Sequence, residues 1–548
     1  MTGPRRSPFS LLPSRRDYAQ LGRTWRGDIV AGVTVGIVAL PLALAFGVSS
    51  GVGAAAGLVT AIVAGIVAGI FGGSNVQVSG PTGAMVVVLG PIVVSYGAGV
   101  VPLLSLMAGV IVVVVGAVRW GRLVTIIPWP VIEGFTFGIA VIIFLQQVPS
   151  ALGVESGASS SAFLTAVEAV QNAEGEHLAW ALAAVAAVAL VMVLAPKIHR
   201  AIPGSLIAIL LVTIVARLAS LPLESIGSLP EGLPAPAIPS MTPELLAALA
   251  GPAFAIAALA AIESLLSARV AASLSDAGAY DADRELVGQG LASIASGFFG
   301  GMPATGAIAR TAVNVRAGAR SRLAAVTHAL VLLAVVYLAA AWVSEIPLAA
   351  LAGVLIVTAV RMVSIPTVSA VLGSSRSSAV VFVLTAIVTV AFDLIIAVGI
   401  GFAVAAIFAL WTLSRSGTVS REALPGDPEP GDDRIALLRL DGALFFAGAE
   451  QLLETTGSIK GVTVVILRMS QLEMLDATGA RVVSELMSTL ERRGITVLVK
   501  GIQPEHLKLA TRVGVLRALR HEKHLFDDLD AAIAHARSHV AREQSPTG

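Results

Sequence analysis

The chain reads as a polytopic α-helical membrane protein of 14 spans, built as 7+7 inverted repeats with two half-helices, followed by a C-terminal α/β domain. Three observations predict this. Residues 28–413 carry only 29 charged side chains, whereas the 135 residues from 414 to 548 carry 35, close to the quarter expected of a soluble domain. A motif recurs at an offset of 223 residues, Gly80-Pro81-Thr82-Gly83-Ala84 against Pro303-Ala304-Thr305-Gly306-Ala307. Finally, from Arg434 onward the long apolar runs give way to short strand-like runs alternating with amphipathic ones, the pattern of an α/β fold.

The first 27 residues hold six Arg and one Asp and form a basic arm. The arm is not a signal peptide, because the apolar run behind it is long and is followed by further spans. Ile29 to Val118 contains no Asp, Glu, Lys or Arg over 90 residues, enough for about four crossings at roughly 20 residues each. The apolar block divides into segments at 28–48, 54–72, 78–95, 100–118, 125–148, 178–195, 203–219, 245–268, 285–299, 305–317, 322–343, 347–362, 377–394 and 396–413. The third and tenth are short and broken by Gly and Pro, so they are expected to be half-helices.

Cytoplasmic connections retain Lys and Arg. With the basic arm inside, the connections after spans 4, 6, 8, 10 and 12 hold Arg119 and Arg122, Lys197 and Arg200, Arg284, Arg316 with Arg320 and Arg322, and Arg361 with Arg376. The opposite side is acidic or neutral, with Glu155, Glu168, Glu174 and Glu176 and no cation between Arg122 and Lys197. Arg217 is the one misfit. An even number of spans places both termini in the cytoplasm of a protein of the cell membrane.

Composition excludes several functions. A soluble enzyme does not carry 56% hydrophobic and 13% charged residues at a mean hydropathy of +0.87. Without cysteine there is no disulfide or thiolate chemistry. No Lys follows a Gly, so there is no GxxxxGK[ST] phosphate loop to drive ATP-dependent pumping. No cofactor and no nucleic acid partner is expected.

The repeated motif points to a site. Many secondary transporters bring two broken helices together at the bilayer midplane. Each Thr-Gly-Ala opens a half-helix whose free amides face the other, and two N-termini supply about half a positive charge each. An anion with several acceptor oxygens suits that cavity; the bland reading is a pair of packing kinks. Glu263 lies in the eighth span, at the 223-residue offset from Leu40 and Pro41 of the first. A carboxyl within a span is costly and by default functional, here as a proton acceptor, with a purely structural hydrogen bond as the alternative. Arg310, four residues past Gly306, is placed to attract the anion, to pair with Glu263, or to do both. Glu133 and Asp393 lie near span ends and read as interfacial.

In the tail, Ile435–Leu440, Ala443–Phe446, Val462–Leu467 and Ile495–Val499 read as buried strands, and Thr478–Arg492 and Pro504–Val513 as helices. The domains are therefore the arm 1–27, the membrane domain 28–413, a linker 414–433 centred on the Pro/Gly/Asp-rich run Pro425–Asp433, the α/β domain 434–540, and a tail 541–548. Asp476 or Thr478 can cap the first helix, and Thr478 can also accept a phosphoryl group. His521, His524, His535 and His539 invite a metal reading, but only the last two show ligand spacing, so a solvated helix face is expected and no metal site is predicted.

Over about residues 25–540 the chain resembles the SulP (sulfate permease) family of anion transporters with a C-terminal STAS domain. The resemblance is carried by Asp28-Ile-Val-Ala-Gly32, Ala39-Leu-Pro-Leu-Ala-Leu-Ala-Phe46, Gly80-Pro-Thr-Gly83, Glu133-Gly-Phe-Thr136, Ala261-Ile-Glu-Ser-Leu-Leu-Ser267 and Pro303-Ala-Thr-Gly-Ala-Ile-Ala-Arg-Thr-Ala-Val-Asn314. It implies a homodimer whose core domain moves against a gate domain like an elevator, with the anion held between spans 1, 3, 8 and 10. Carried onto this chain, Leu42, Phe46, Thr82, Gly83, Ala84, Gly306, Ala307, Ile308 and Arg310 bind substrate. Glu263 and Ser267 couple transport to a proton or sodium. Thr478 matches a phosphorylatable position in relatives of the tail, which implies a cytoplasmic regulatory partner. Leu42 stands where many relatives have Gln, and Ala307 and Ala309 where they often have hydroxyls, so sulfate, bicarbonate, a dicarboxylate and chloride all remain open. Glu263 favours proton symport; a sodium-coupled bicarbonate symporter, an uncoupled exchanger or channel, and a membrane sensor are the rivals. Nucleobase carriers share a similar fold but lack this tail and the Arg310 pattern.

Overall fold

The computed structural model describes residues 11–18, 21–121, 127–155, 161–173, 175–198, 203–230, 232–275, 279–391, 394–414, 418–444 and 461–544. Arg122, Glu174, Arg200, Asp393, Phe445 and Phe446 of the sequence reading lie outside them. The chain divides into two compact units, 1–402 and 403–548.

Each of the 14 predicted segments carries a helix. In order these are α1 (Leu21–Ser49), α2 (Ala54–Phe71), α3 (Gly83–Tyr96), α4 (Val101–Ala117), α5 (Trp129–Gln146), α6 (Glu176–Ile198), α7 (Gly204–Leu218), α8 (Pro243–Leu274), α9 (Ala282–Phe298), α10 (Ile308–Arg316), α11 (Leu323–Val343), α12 (Leu348–Met362), α13 (Arg376–Ala391) and α14 (Leu394–Ser414). Among the described residues, eight helical segments are long and apolar enough to cross a membrane. The half-helices α3 and α10 have 14 and 9 residues. Further short helices at Val148–Leu152, Ala162–Gln171 and Ile365–Ser374 occupy connections where none was predicted.

The packing repeats as the sequence does. α1 packs on α11 and its counterpart α8 on α4; α2 and α9, which the repeat exchanges, pack on each other. A second group forms from α5 with α13, α6 with α7 and α12, and α5 with α12. α1 meets this group at α7 and α12, and α3 meets it at α5. Helix backbones approach closely where side chains are absent: a Cβ built on Gly109 of α4 would lie 2.7 Å from Gly290 O of α9, the small-residue contact by which helices associate without a hydrophobic drive.

α9 departs from an apolar span, because Arg284, Glu285, Gln289, Ser293 and Ser296 are all buried. It is tolerated because protein groups replace water. Glu285 Oε2 accepts from the amides of Gly73 and Ser74 at 2.7 and 3.0 Å, Gln289 donates to Glu285 Oε1 at 2.8 Å, and Arg284 donates to Asp17 at 2.8 Å. Asp28 of α1 accepts from Arg320 N, Ser321 N and Ser321 Oγ at 2.7, 3.0 and 2.6 Å and so pins the turn between α10 and α11. The misfit cation Arg217 donates to both carboxylate oxygens of Glu345 at 2.6 and 2.5 Å, which neutralises it locally. Glu133 accepts from Trp129 Nε1 at 3.0 Å in an exposed hydrogen bond.

The second unit is an α/β domain with strands β3 (Thr418–Glu422), β4 (Ile435–Leu444), β5 (Val464–Leu475), β6 (Thr496–Lys500) and β7 (Leu525–Phe526) side by side in chain order. β3 runs antiparallel to β4 and the remainder are parallel. Helices α15 (Ala477–Arg492) and α16 (Pro504–Val513) cover one face through Val483, Met487 and Ala510. α17 (Leu529–Gln544) covers the other through Ile533, Ala536 and Val540. Burial on both faces explains the continuous apolar strands. Two predictions change: Ala443 and Leu444 end β4 instead of opening a new strand, and β3 lies within the predicted linker.

Asp28→Ala would leave the buried amide and hydroxyl of Ser321 and the part-buried amide of Arg320 without their acceptor, a loss on the order of 2–5 kcal/mol. The purified variant should melt several degrees below the parent in detergent.

Candidate functional site

The site forms where two chain segments interrupt their helices. Pro81 cannot donate a hydrogen bond and Thr82 is extended, at φ −131° and ψ 163°, so α3 starts only at Gly83. Strand β1 (Ser79–Gly80) pairs antiparallel with β2 (Thr305–Gly306), placing Ser79 opposite Gly306 and Gly80 opposite Thr305. Val78 O accepts from Ala307 N at 2.8 Å and Val78 N donates to Thr311 Oγ1 at 3.0 Å. Asn314 Nδ2 donates to Val76 O at 2.8 Å. The two repeats are thus joined at their breaks.

The N-termini of α3 and α10 face one cavity of about 700 Å³. Its wall includes Leu42 and Phe46 of α1, Thr82, Gly83 and Ala84 at α3, Glu263 of α8, Ala307, Ile308, Ala309 and Arg310 at α10, and Phe135 and Ile139 of α5. It extends to Pro196, Pro203, Arg361 and Met362, next to the basic connections. A separate cavity of about 760 Å³ reaches Val48 from the other end of α1 and is lined by Gln146, Glu155, His177 and Glu224. It lacks the half-helix tips, which is why the first cavity is the candidate site.

The first bonds inside the half-helices are Val86 N–H to Thr82 O at 3.3 Å and Thr311 N–H to Ala307 O at 2.8 Å. The amides of Gly83, Ala84, Met85, Ile308, Ala309 and Arg310 therefore carry no intrahelical bond. Neither helix is capped by a side chain. Thr82 instead donates to Glu263 Oε2 at 2.8 Å, Thr305 contacts the same oxygen at 2.9 Å, and the two hydroxyls lie 3.0 Å apart. Thr82 and Thr305 are the equivalent threonines of the 223-residue repeat.

Of the predicted site residues, Leu42, Phe46, Thr82, Gly83, Ala84, Ala307, Ile308, Arg310 and Glu263 come together at the cavity. Gly306 does not: its amide is spent on Ser264 Oγ at 3.1 Å, and a Cβ there would lie 1.7 Å from Gln77 Nε2, so its role is close approach. Ser267 is not among the lining residues of the cavity either: it is fully buried and its hydroxyl lies 3.2 Å from Thr311 Oγ1, bracing α8 to α10. Arg310 lines the cavity with Glu263; its Nη2 donates to Pro81 O, tying α10 to the residue before the cap of α3, and its Nη1 is buried without a hydrogen-bond partner among the described residues. Thr305 was missed as a site residue, although its repeat relation to Thr82 pointed to it.

Residues 25–385 match the sulfate permease family and residues 429–532 match the STAS domain. The chain belongs to the sulfate permease family. Among curated members, it is 34% identical to YvdB of Bacillus subtilis over 92% of this chain and 96% of the relative. It is 29% identical to the bicarbonate transporter BicA of Synechocystis over 94% of both chains. The transmembrane domain of a cyanobacterial BicA superposes with a TM-score of 0.62 at 32% identity, covering 69% of this chain and 98% of that one. Murine Slc26a9, an anion transporter solved in the inward-facing state, shares the fold at a TM-score of 0.84 and 18% identity, over 98% and 96% of the two chains. Family membership accounts for the helical unit and the STAS unit together.

In the STAS unit, Asp476 caps α15 by accepting from Gly479 N at 2.7 Å, which leaves Thr478 exposed on the first turn.

Because Glu263, Thr82 and Thr305 share one set of hydrogen bonds, losses at the two threonines should not add. Thr82→Val and Thr305→Val are expected to depart from additivity in thermal stability by about 0.5–3 kcal/mol in a double-mutant cycle. Additive losses would show that the contacts are independent.

Proposed function

We propose that the chain is a secondary active transporter of small oxyanions in the cell membrane, working by proton symport. The observation that carries this reading is the Thr82–Glu263–Thr305 triangle set between two uncapped helix N-termini. Two hydroxyl protons must serve three contacts when Glu263 is ionised; a proton on the carboxyl supplies the third and closes the ring. The triangle can therefore take up a proton without rearranging.

Charge bookkeeping supports coupling. The two helix ends contribute about one positive charge in all and Arg310 another, which Glu263 lowers to about one when ionised. Protonation raises the balance to about two. A divalent oxyanion such as sulfate is then matched by the protonated site, and a monovalent one such as bicarbonate by the ionised site.

The two helix groups fit an elevator, in which α1–α4 with α8–α11 carry the anion past the group of α5–α7, α12 and α13. Cavities reaching Phe46 and Val48 from opposite ends of α1 fit alternating access, the candidate site extending toward the basic connections of the inward side. A homodimer, cytoplasmic termini and a regulatory partner reading exposed Thr478 complete the proposal.

In proteoliposomes, Glu263→Gln should retain anion-for-anion exchange yet lose accumulation driven by an inward proton gradient. Accumulation by that variant would remove Glu263 from coupling, and accumulation in the parent that follows sodium instead would make the carboxylate a sodium ligand. Arg310→Ala should raise the apparent KM for the transported anion at least several-fold, through both the lost charge and the freed Pro81 carbonyl. An unchanged KM would leave Arg310 a purely structural residue.

A further inference from the structure

Four histidines unused by the transport reading come together in the STAS unit. His521 and His524 lie in the turn before β7, where His524 N–H donates to His521 O at 3.0 Å. His535 and His539 lie one turn apart on α17. The ring centre of His524 stands 5.6 Å from those of His521, His535 and His539, and the rings of His535 and His539 are 4.9 Å apart. Solvation of a helix face does not describe His524, which is only 3% exposed.

Two ring nitrogens of this cluster are in an unusual position. His524 Nδ1 and His535 Nε2 are buried with no hydrogen-bond partner among the described residues. A buried polar atom in that state calls for an explanation, an unplaced ion among them. One ring nitrogen each from His524, His535 and His539 can be chosen so that all lie within 4.8 Å of one another. Nitrogens bound to tetrahedral zinc at about 2.0–2.1 Å stand roughly 3.3 Å apart, so modest ring rotations close the triangle. The surrounding charges are Arg520, Arg542 and Glu543, and Glu543 is engaged by Arg434 at 2.7 Å.

We propose that His524, His535 and His539 form a site for a divalent transition-metal ion of the zinc type, which fastens α17 to the turn before β7. His521 or water supplies the fourth ligand. Spacing hid the site, because the third ligand comes from a separate turn and reaches α17 only once the sheet is assembled.

The test uses the full-length protein in detergent, purified without a histidine tag, stripped with chelator and titrated with ZnCl2 against a chromophoric competitor. One zinc per chain is expected. His535→Gln and His539→Gln, at half-buried positions where folding is least at risk, should each weaken binding at least tenfold, while His177→Gln in the other unit leaves it unchanged. CoCl2 should give the visible absorption of tetrahedral cobalt in the parent and not in the His535→Gln/His539→Gln double variant. ZnCl2 should raise the melting temperature of the parent alone. No binding at micromolar zinc, or binding that survives the double variant, overturns the site.

Discussion

Two helix N-termini pointed at each other across a cavity repel, and everything in the helical unit follows from how that repulsion is held. The pairing of β1 with β2 fixes their distance, and Glu263 supplies the opposing charge through the two threonines that precede the half-helices. Thr82, at the N-cap of α3, is committed to Glu263, and the N-cap of α10 is Ala307, which has no side-chain oxygen to offer, so six amides at the two tips stay without an intrahelical bond. A capping Ser or Thr bond, the usual solution at a helix start, would have consumed donors that the cavity needs.

That arrangement sets demands on the rest of the helical unit. Bending two backbones into one small space requires Gly306 beside Gln77 and Gly80 beside Arg310, where an added Cβ would lie 1.7 and 2.7 Å from the neighbouring nitrogen. Buried polar groups brace the assembly from behind, with Ser267 on Thr311, Asn314 on Val76 and Gln289 on Ser79. Such groups are expensive away from water unless paired, which is why α9 carries so many of them in the middle of the bundle rather than on its outer face.

Much of this was legible because it is local or repeated. Charge counting located the apolar block, and the 223-residue offset located both breaks and hence Thr82, Glu263 and the tips of α3 and α10. Change of period located most of the STAS strands. What was not legible depends on where hydrogen bonds go after folding. The sequence motif treats Gly306 and Ala307 alike, yet the amide of Gly306 serves Ser264, and Ser267 lies one turn from Glu263 while facing α10. The bond of Arg310 to Pro81 O is a further contact, one that only the antiparallel crossing creates. β3 escaped notice because it is an edge strand that forms by pairing with β4, in a stretch whose Gly and Pro content reads as linker.

On the proposed reading, selectivity does not come from the shape of the pocket wall. Leu42, Phe46, Ala307 and Ile308 offer no side-chain donors, so an anion is recognised by helix-tip amides and the charge of Arg310, which any oxyanion can satisfy. Discrimination among ligands that share the same donors is weak unless a buried partner is left unsatisfied. Charge then does what hydrogen-bond geometry cannot: an anion whose charge mismatches the protonation state of Glu263 enters a desolvated cavity with an uncompensated charge, which is strongly disfavoured at low dielectric. The residue that couples transport to the proton would thereby also choose the anion, and the two properties would change together when Glu263 is altered.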